Sequence, residues 1–336
     1  MDVLNIVACM GVVLMHTTNR QIHQFNGIID TEFVWGCITH TFSYWPVPVF
    51  LMLSGSNILR SDRFNSIEGY TLFYKKRFFK AFVPFVFWSI LYLGVCLIKW
   101  RPSSAIELIE FVAQLKYNST MWFFIPLFAL YLCTPFIATW IANSTSQEKK
   151  LYILFSFIFC ICVPSFFRIT ASNGLQQPLF PIAESMLFYP VIGFLITNTE
   201  ITKKHKNTIY TLGAISVILH FSMLFFGIGL YEIKSSRVLN VCMPTSVFIS
   251  VAVFLLFKEA NWSKVLERLK MNKVLVTQIA SCSLGVYLIQ QLIFMVSAKL
   301  NMPFHTPYLG LVTTYPLALA AVFVMKKIPV VKNIVP

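Results

Sequence analysis

Four polar residues punctuate an otherwise apolar opening stretch, DVLNIVACMGVVLMH at positions 2–16. At 100° per residue Asp2, Asn5, Cys9 and His16 fall at about 0°, 300°, 340° and 320°, a stripe about 60° wide on one helix face. An imidazole titrating near neutrality is the usual group for taking a proton from an alcohol. His16 is therefore the candidate general base of a reaction at a hydroxyl. Asn5 lies about 16 Å from it along a helix, near enough to orient a shared site and too far to touch the ring.

A second group is basic. Lys75, Lys76, Arg77 and Lys80 crowd into YKKRFFK, and these side chains meet phosphate, arginine as a two-pronged fork and lysine as a point charge. The same flank suits anionic lipid headgroups. Glu184, in LFPIAESMLFYPVIGF, is the clearest carboxylate inside an apolar stretch, where acids have partners or functions. It is a candidate to orient His16 or to bind acceptor hydroxyls, or else to pair with Arg168 or Arg237. Those two arginines are weaker acceptor-binding candidates, since arginines at helix ends also reach to the interface. His40 precedes YWPVPVF, where Pro46 and Pro48 disturb helical hydrogen bonding. With Tyr44 and Trp45 beside it, the segment reads as a sugar platform or as an interfacial aromatic belt. His23, His205 and His305 fall in loops and His220 stands isolated in an apolar run, so none of them is assigned chemistry.

These residues must be held by helices in lipid. Of 336 residues 57% are hydrophobic and 12% charged, and apolar windows of membrane-spanning length recur. Spans are predicted near 2–18, 36–59, 79–98, 121–142, 151–168, 179–198, 208–227, 238–257, 276–298 and 307–325. The fold class is all-α, a polytopic membrane protein of about ten transmembrane helices forming a single domain over 1–336. The net charge of +14 is unevenly spread: with the N-terminus inside, 19 of 27 Lys and Arg lie on one side. By the positive-inside rule both termini face the cytoplasm. Span-like sequence follows Met1 at once, which leaves room for a short basic leader ahead of it. A cleaved signal peptide is not expected, because no charged region precedes the span and no small-residue cleavage site follows.

No interleaved basic and aromatic soluble module is present, so nucleic acid is not an expected partner. The eight cysteines form no CxxC pair and no cluster of zinc spacing, and read as small hydrophobes rather than metal ligands. GxSxG, HExxH, GxGxxG and phosphate-loop patterns are absent. No serine is placed to act as nucleophile, which favours direct transfer without a covalent intermediate.

The opening stretch MDVLNIVACMGVVLMHTT resembles the first helix of the bacterial acyltransferase-3 family, membrane O-acyltransferases with an Asp, usually an Arg three residues on, and a His eleven later. Asp2 and His16 match, while Asn5 stands where most members carry Arg. VPVFLMLSG at 47–55, YKKRFFKAFVPF at 74–85 and MWFFIPLFALYLCTPFI at 121–137 resemble the family's second, third and fourth spans in order. In SLGVYLIQQLI at 283–293, Gln290 replaces the histidine of a usual Gly-x-Tyr-x-x-His. Arg77 and Lys80 occupy the family's Arg-x-x-Arg position. Trp122 and Phe123 match family positions but read as packing or interface residues.

The resemblance implies an O-acetyltransferase of the bacterial inner membrane. Its donor would be acetyl-CoA from the cytoplasm, met by Asn5, Lys75, Lys76, Arg77 and Lys80. Its acceptor would be a surface glycan such as O-antigen or a lipid-linked precursor, met by His40, Trp45, Arg168, Arg237 and Trp122. His16 and Glu184 would be catalytic. The alternative is a transporter or flippase of lipid-linked sugars, which also needs intramembrane charge; the lack of an inverted repeat disfavours it. A purely structural or sensory subunit leaves the His16 stripe unexplained.

Overall fold

The computed structural model describes residues 1–23, 25–170, 185–231, 233–302, 309–329 and 331–335. Among these residues all regular structure is helical. The principal helices are α1 (Asp2–His23), α2 (Thr31–Thr41), α3 (Pro46–Ile58), α4 (Ile67–Ile98), α5 (Ser119–Asn143), α6 (Ser146–Thr170), α7 (Phe188–Asn198), α8 (Lys203–Ile228), α9 (Pro244–Glu259), α10 (Lys273–Ser281), α11 (Ser283–Lys299) and α12 (Gly310–Lys327).

Each predicted span overlaps a helix. Among the described residues five helices, α4, α5, α6, α8 and α12, are long and apolar enough to cross a membrane by themselves, and α7 and the first part of α1 are shorter apolar helices. The number rises to seven if α9 with Trp262–Arg268, bent by 71°, and α10 with α11, bent by 54°, each count as one. The window 36–59 is two helices. Asp30 starts α2 by accepting from the Phe33 N–H at 2.8 Å, and Pro46 opens α3. A proline's missing N–H costs nothing in a first turn. Pro46 and Pro48 thus begin a helix rather than distort the middle of one.

Two other prolines widen helices. Turns of π-helix span Phe78–Phe82 and Ser156–Cys162, each closed by the N–H of the residue just before a proline: Val83 to the Phe78 carbonyl and Val163 to the Ile158 carbonyl. The ring of Pro84 or Pro164 would strike the carbonyl four residues back, and an extra residue per turn relieves it. The first of these turns sets the backbone beneath Arg77 and Lys80.

The tightest crossing is α3 on α7. A Cβ added at Gly55 would lie 2.1 Å from the Pro190 carbonyl oxygen, and one at Gly193 would lie 2.3 Å from that of Met52. Small residues let two backbones approach where lipid supplies no hydrophobic drive. We expect Gly193→Val to lower stability by at least about 3 kcal/mol, the upper end for overpacking. Gly94 has no neighbour within 4 Å of the same construction, so Gly94→Ala should gain about 0.5–1 kcal/mol from helix propensity. Thermal unfolding of both variants in detergent checks the contrast.

Candidate functional site

The polar stripe of α1 is divided between structure and cavity. The Thr277 hydroxyl donates to Asp2 Oδ2 at 2.6 Å, and the Cys9 thiol donates to the Ser283 carbonyl at 3.6 Å. Both contacts tie α1 to the bent pair α10–α11. Lys326 of α12 reaches the same bend, its Nζ donating to the Ser281 carbonyl at 2.8 Å. Asn5, lying between Asp2 and Cys9, instead faces a cavity of about 370 Å³.

Arg77, Lys80, Ser54, Ser283 and Tyr287 line this cavity with Asn5. The Arg77 guanidinium is held 5.2 Å from the ring centres of both Phe73 and Tyr131, a cation–π clamp that orients it without neutralising it. Asn5 Oδ1, Ser283 Oγ and Arg77 Nε are buried with no hydrogen-bond partner among the described residues. Buried polar atoms are nearly always paired, so three spare ones around one cavity describe a place for a polar ligand. Lys75 and Lys76 are exposed and stand outside the lining. The structure thus separates the basic cluster into an inner pair and an outer pair.

Val12 closes the cavity on the α1 side, and His16, half-buried, lies one turn further, a rise of about 6 Å. Beyond it the histidines gather. His16 is within electrostatic reach of His23 and of His40. The His23 and His40 rings stand edge-on with centres 6.4 Å apart; His40 is 5.8 Å from Tyr44, and Tyr44 is 5.6 Å from His220. His23 Nδ1 pairs with the Ser235 hydroxyl at 3.1 Å, and His220 Nδ1 with the Thr245 hydroxyl at 2.8 Å. His40 and His220 are wholly buried. His40 faces the Thr18 backbone, yet neither of its ring nitrogens makes a hydrogen bond of good geometry with a described residue, nor does His220 Nε2.

Four of six histidines therefore share one neighbourhood, including two that sequence reading left without chemistry. His23 was legible, since seven residues from His16 returns to the same helix face. His220 was not, because α8 meets α2 and α9 only in three dimensions. A second cavity, about 640 Å³, lies at this end and is lined by Ile22, His23, Asn26, Lys234 and Ser235.

The remaining candidates are scattered. Tyr44 and Trp45 are buried, and the Trp45 carbonyl accepts from Ser250 at 3.4 Å; this is core rather than an open platform or an interfacial belt. Trp122 is 36% exposed beside Phe123, which does line the first cavity. Arg168, half-buried on α6, lies near Cys242, and Arg237 sits in the short helix Ser235–Val238 that adjoins the second cavity. Glu184 and His305 lie outside the described residues. No group of three or more His, Cys, Asp or Glu suited to a metal occurs among the described residues.

The profile of an acyltransferase domain matches residues 1–325. The chain belongs to the acyltransferase-3 family. No curated protein and no solved structure matches it. The molecule is thus a multi-pass membrane acyltransferase.

If Arg77 holds an anionic donor by charge-assisted hydrogen bonds, Arg77→Ala should raise the donor KM about tenfold or more. The pair Lys75→Ala/Lys76→Ala, outside the cavity, should leave it within about twofold at fixed ionic strength. Initial rates against donor concentration in purified membranes decide between them.

Proposed function

We propose that this acyltransferase moves an acetyl group from acetyl-CoA, bound from the cytoplasm, to a hydroxyl of a surface glycan or its lipid-linked precursor, with His16 as general base. The observation that carries this reading is the course of α1. Asn5 and Val12 line one cavity, Ile22 and His23 line the other, and His16 lies between them.

The cavity beside Arg77 and Lys80 lies at the Lys- and Arg-rich end of the molecule, which the positive-inside rule assigns to the cytoplasm. Both chain termini would lie on that side of a bacterial inner membrane. A phosphorylated thioester made in the cytoplasm would meet Arg77, Lys80 and Asn5 there, with its thioester arm pointing along α1 towards His16. The acceptor would approach from the His23 end, where Lys234, Ser235 and Asn26 offer polar contacts, O-antigen being one candidate. The acceptor oxygen adds to the thioester carbonyl while His16 takes its proton. Collapse of the tetrahedral adduct breaks the carbon–sulfur bond, and the proton returns to the departing thiolate.

The test is transfer of labelled acetyl from acetyl-CoA into the glycan fraction of membranes. We expect incorporation with the intact protein and a fall of about 10²–10⁴-fold in His16→Ala at equal expression, the usual contribution of a general base. Absence of label from the intact protein with the native acceptor supplied would overturn acetyl transfer to a glycan as its reaction.

A further inference from the structure

The contacts that fix α1 also fix where α11 starts beside it. Asp2 meets Thr277 and Cys9 meets Ser283, so α1 runs alongside α10 and the start of α11 in the same direction. His16 is seven residues beyond Cys9, and Gln290 is seven residues beyond Ser283. Seven residues raise each helix by about 10.5 Å and return within about 20° of the same face. Gln290 and His16 therefore each stand two turns beyond the one contact that joins their helices.

Gln290 is fully buried, and both its Nε2 and its Oε1 lack a hydrogen-bond partner among the described residues. On the same face, two turns back, Ser283 points an unpaired hydroxyl into the donor cavity. Tyr287, between them, also lines it and spends its hydroxyl on the Thr120 carbonyl. Ser283 and Gln290 thus form a line of unused polar atoms leading from the cavity along one face of α11. A buried carboxamide with no partner among the described residues destabilises a fold unless something it binds uses it.

We propose that the Gln290 carboxamide is a catalytic residue whose Nε2–H binds the acyl carbonyl oxygen and holds it as the oxyanion. This rests on the acyl-transfer reading above. As the acceptor oxygen adds to the carbonyl carbon, its proton passes to His16 and the carbonyl π pair moves onto the oxygen facing Gln290. When the carbon–sulfur bond breaks, that pair re-forms the carbonyl and the proton on His16 goes to the thiolate. A donor placed before charge develops is among the strongest contributors to such a step. The histidine usual at this position in the resembling segment also presents an N–H, so the chemistry of the position is kept while its titration is removed.

The deciding variant is Gln290→Met, close in volume and without polar atoms. With labelled acetyl-CoA and native acceptor, kcat should fall about 10²–10³-fold, the range for loss of one oxyanion donor, while the KM for acetyl-CoA stays within about twofold. The melting temperature in detergent should hold or rise, because the variant removes an unpaired buried amide. Gln290→His, which keeps a donor, should retain more turnover than Gln290→Met. A melting temperature that falls together with activity would make Gln290 structural, and turnover within about threefold of wild type would make it idle; either overturns the assignment while acyl transfer stands. Wild-type protein that transfers no acetyl overturns the parent reading and this assignment together.

Discussion

Hydrocarbon offers no partner to a polar side chain, and that constraint organises this molecule around one face of α1. Exposing such groups costs about 2.5–3.5 kcal/mol each for charged residues at mid-span, so Asp2, Asn5, Cys9 and His16 must all turn towards other helices. Two of them, Asp2 and Cys9, meet their partners in α10–α11 at the bend near Cys282. Those two contacts set the register between the first helix and one near the C-terminus. The register in turn decides which residues of α11 lie beside the cavity.

The cavities exist because several helices are interrupted. The bend between α10 and α11, the gap between α2 and α3 and the π turns of α4 and α6 each give up regular hydrogen bonds. Such irregular backbone is tolerated at membrane depth only where protein or water covers it. The cost is met locally: Val83 finds the Phe78 carbonyl, and Tyr92 donates to the Leu288 carbonyl at 2.7 Å while accepting from the Leu292 N–H at 3.1 Å. The close crossing of Gly55 and Gly193 supplies the opposite feature, a stiff contact between α3 and α7. Donor-side residues from α3 are thereby carried on a rigid pair, while the bent helices shape the space.

Much of this was readable from the sequence. Apolar windows located the helices, and a 100° wheel placed the stripe of α1, because both depend only on local periodicity. Where the helices break was not readable, since a hydropathy window averages away the polar residues and bends of interior helices. Nor was the split of the basic cluster, for YKKRFFK does not say that Phe73 and Tyr131 clamp Arg77 while Lys75 and Lys76 face outward. The aromatic pair Tyr44 and Trp45 looked like interface or platform, but packing of α9 behind them makes them core. His220 and Gln290 gained their meaning only from helices distant in sequence.

The distribution of unpaired polar atoms bears on the proposed reaction. A chain selected for stability alone would satisfy buried donors and acceptors or dispense with them. Here Asn5, Arg77 and Ser283 leave atoms unpaired around the cavity beside Lys80, and His40, Ser43 and His220 leave others in the histidine group, among the described residues. Gln290 stands two turns beyond the Cys9–Ser283 contact on α11, as His16 does on α1. Asn118 alone stands apart, with its Oδ1 engaged by Thr120 and its Nδ2 spare. Unpaired atoms gathered at both ends of a line through one histidine are what the proposed two-sided reaction would require, with stability given up where donor and acceptor would meet.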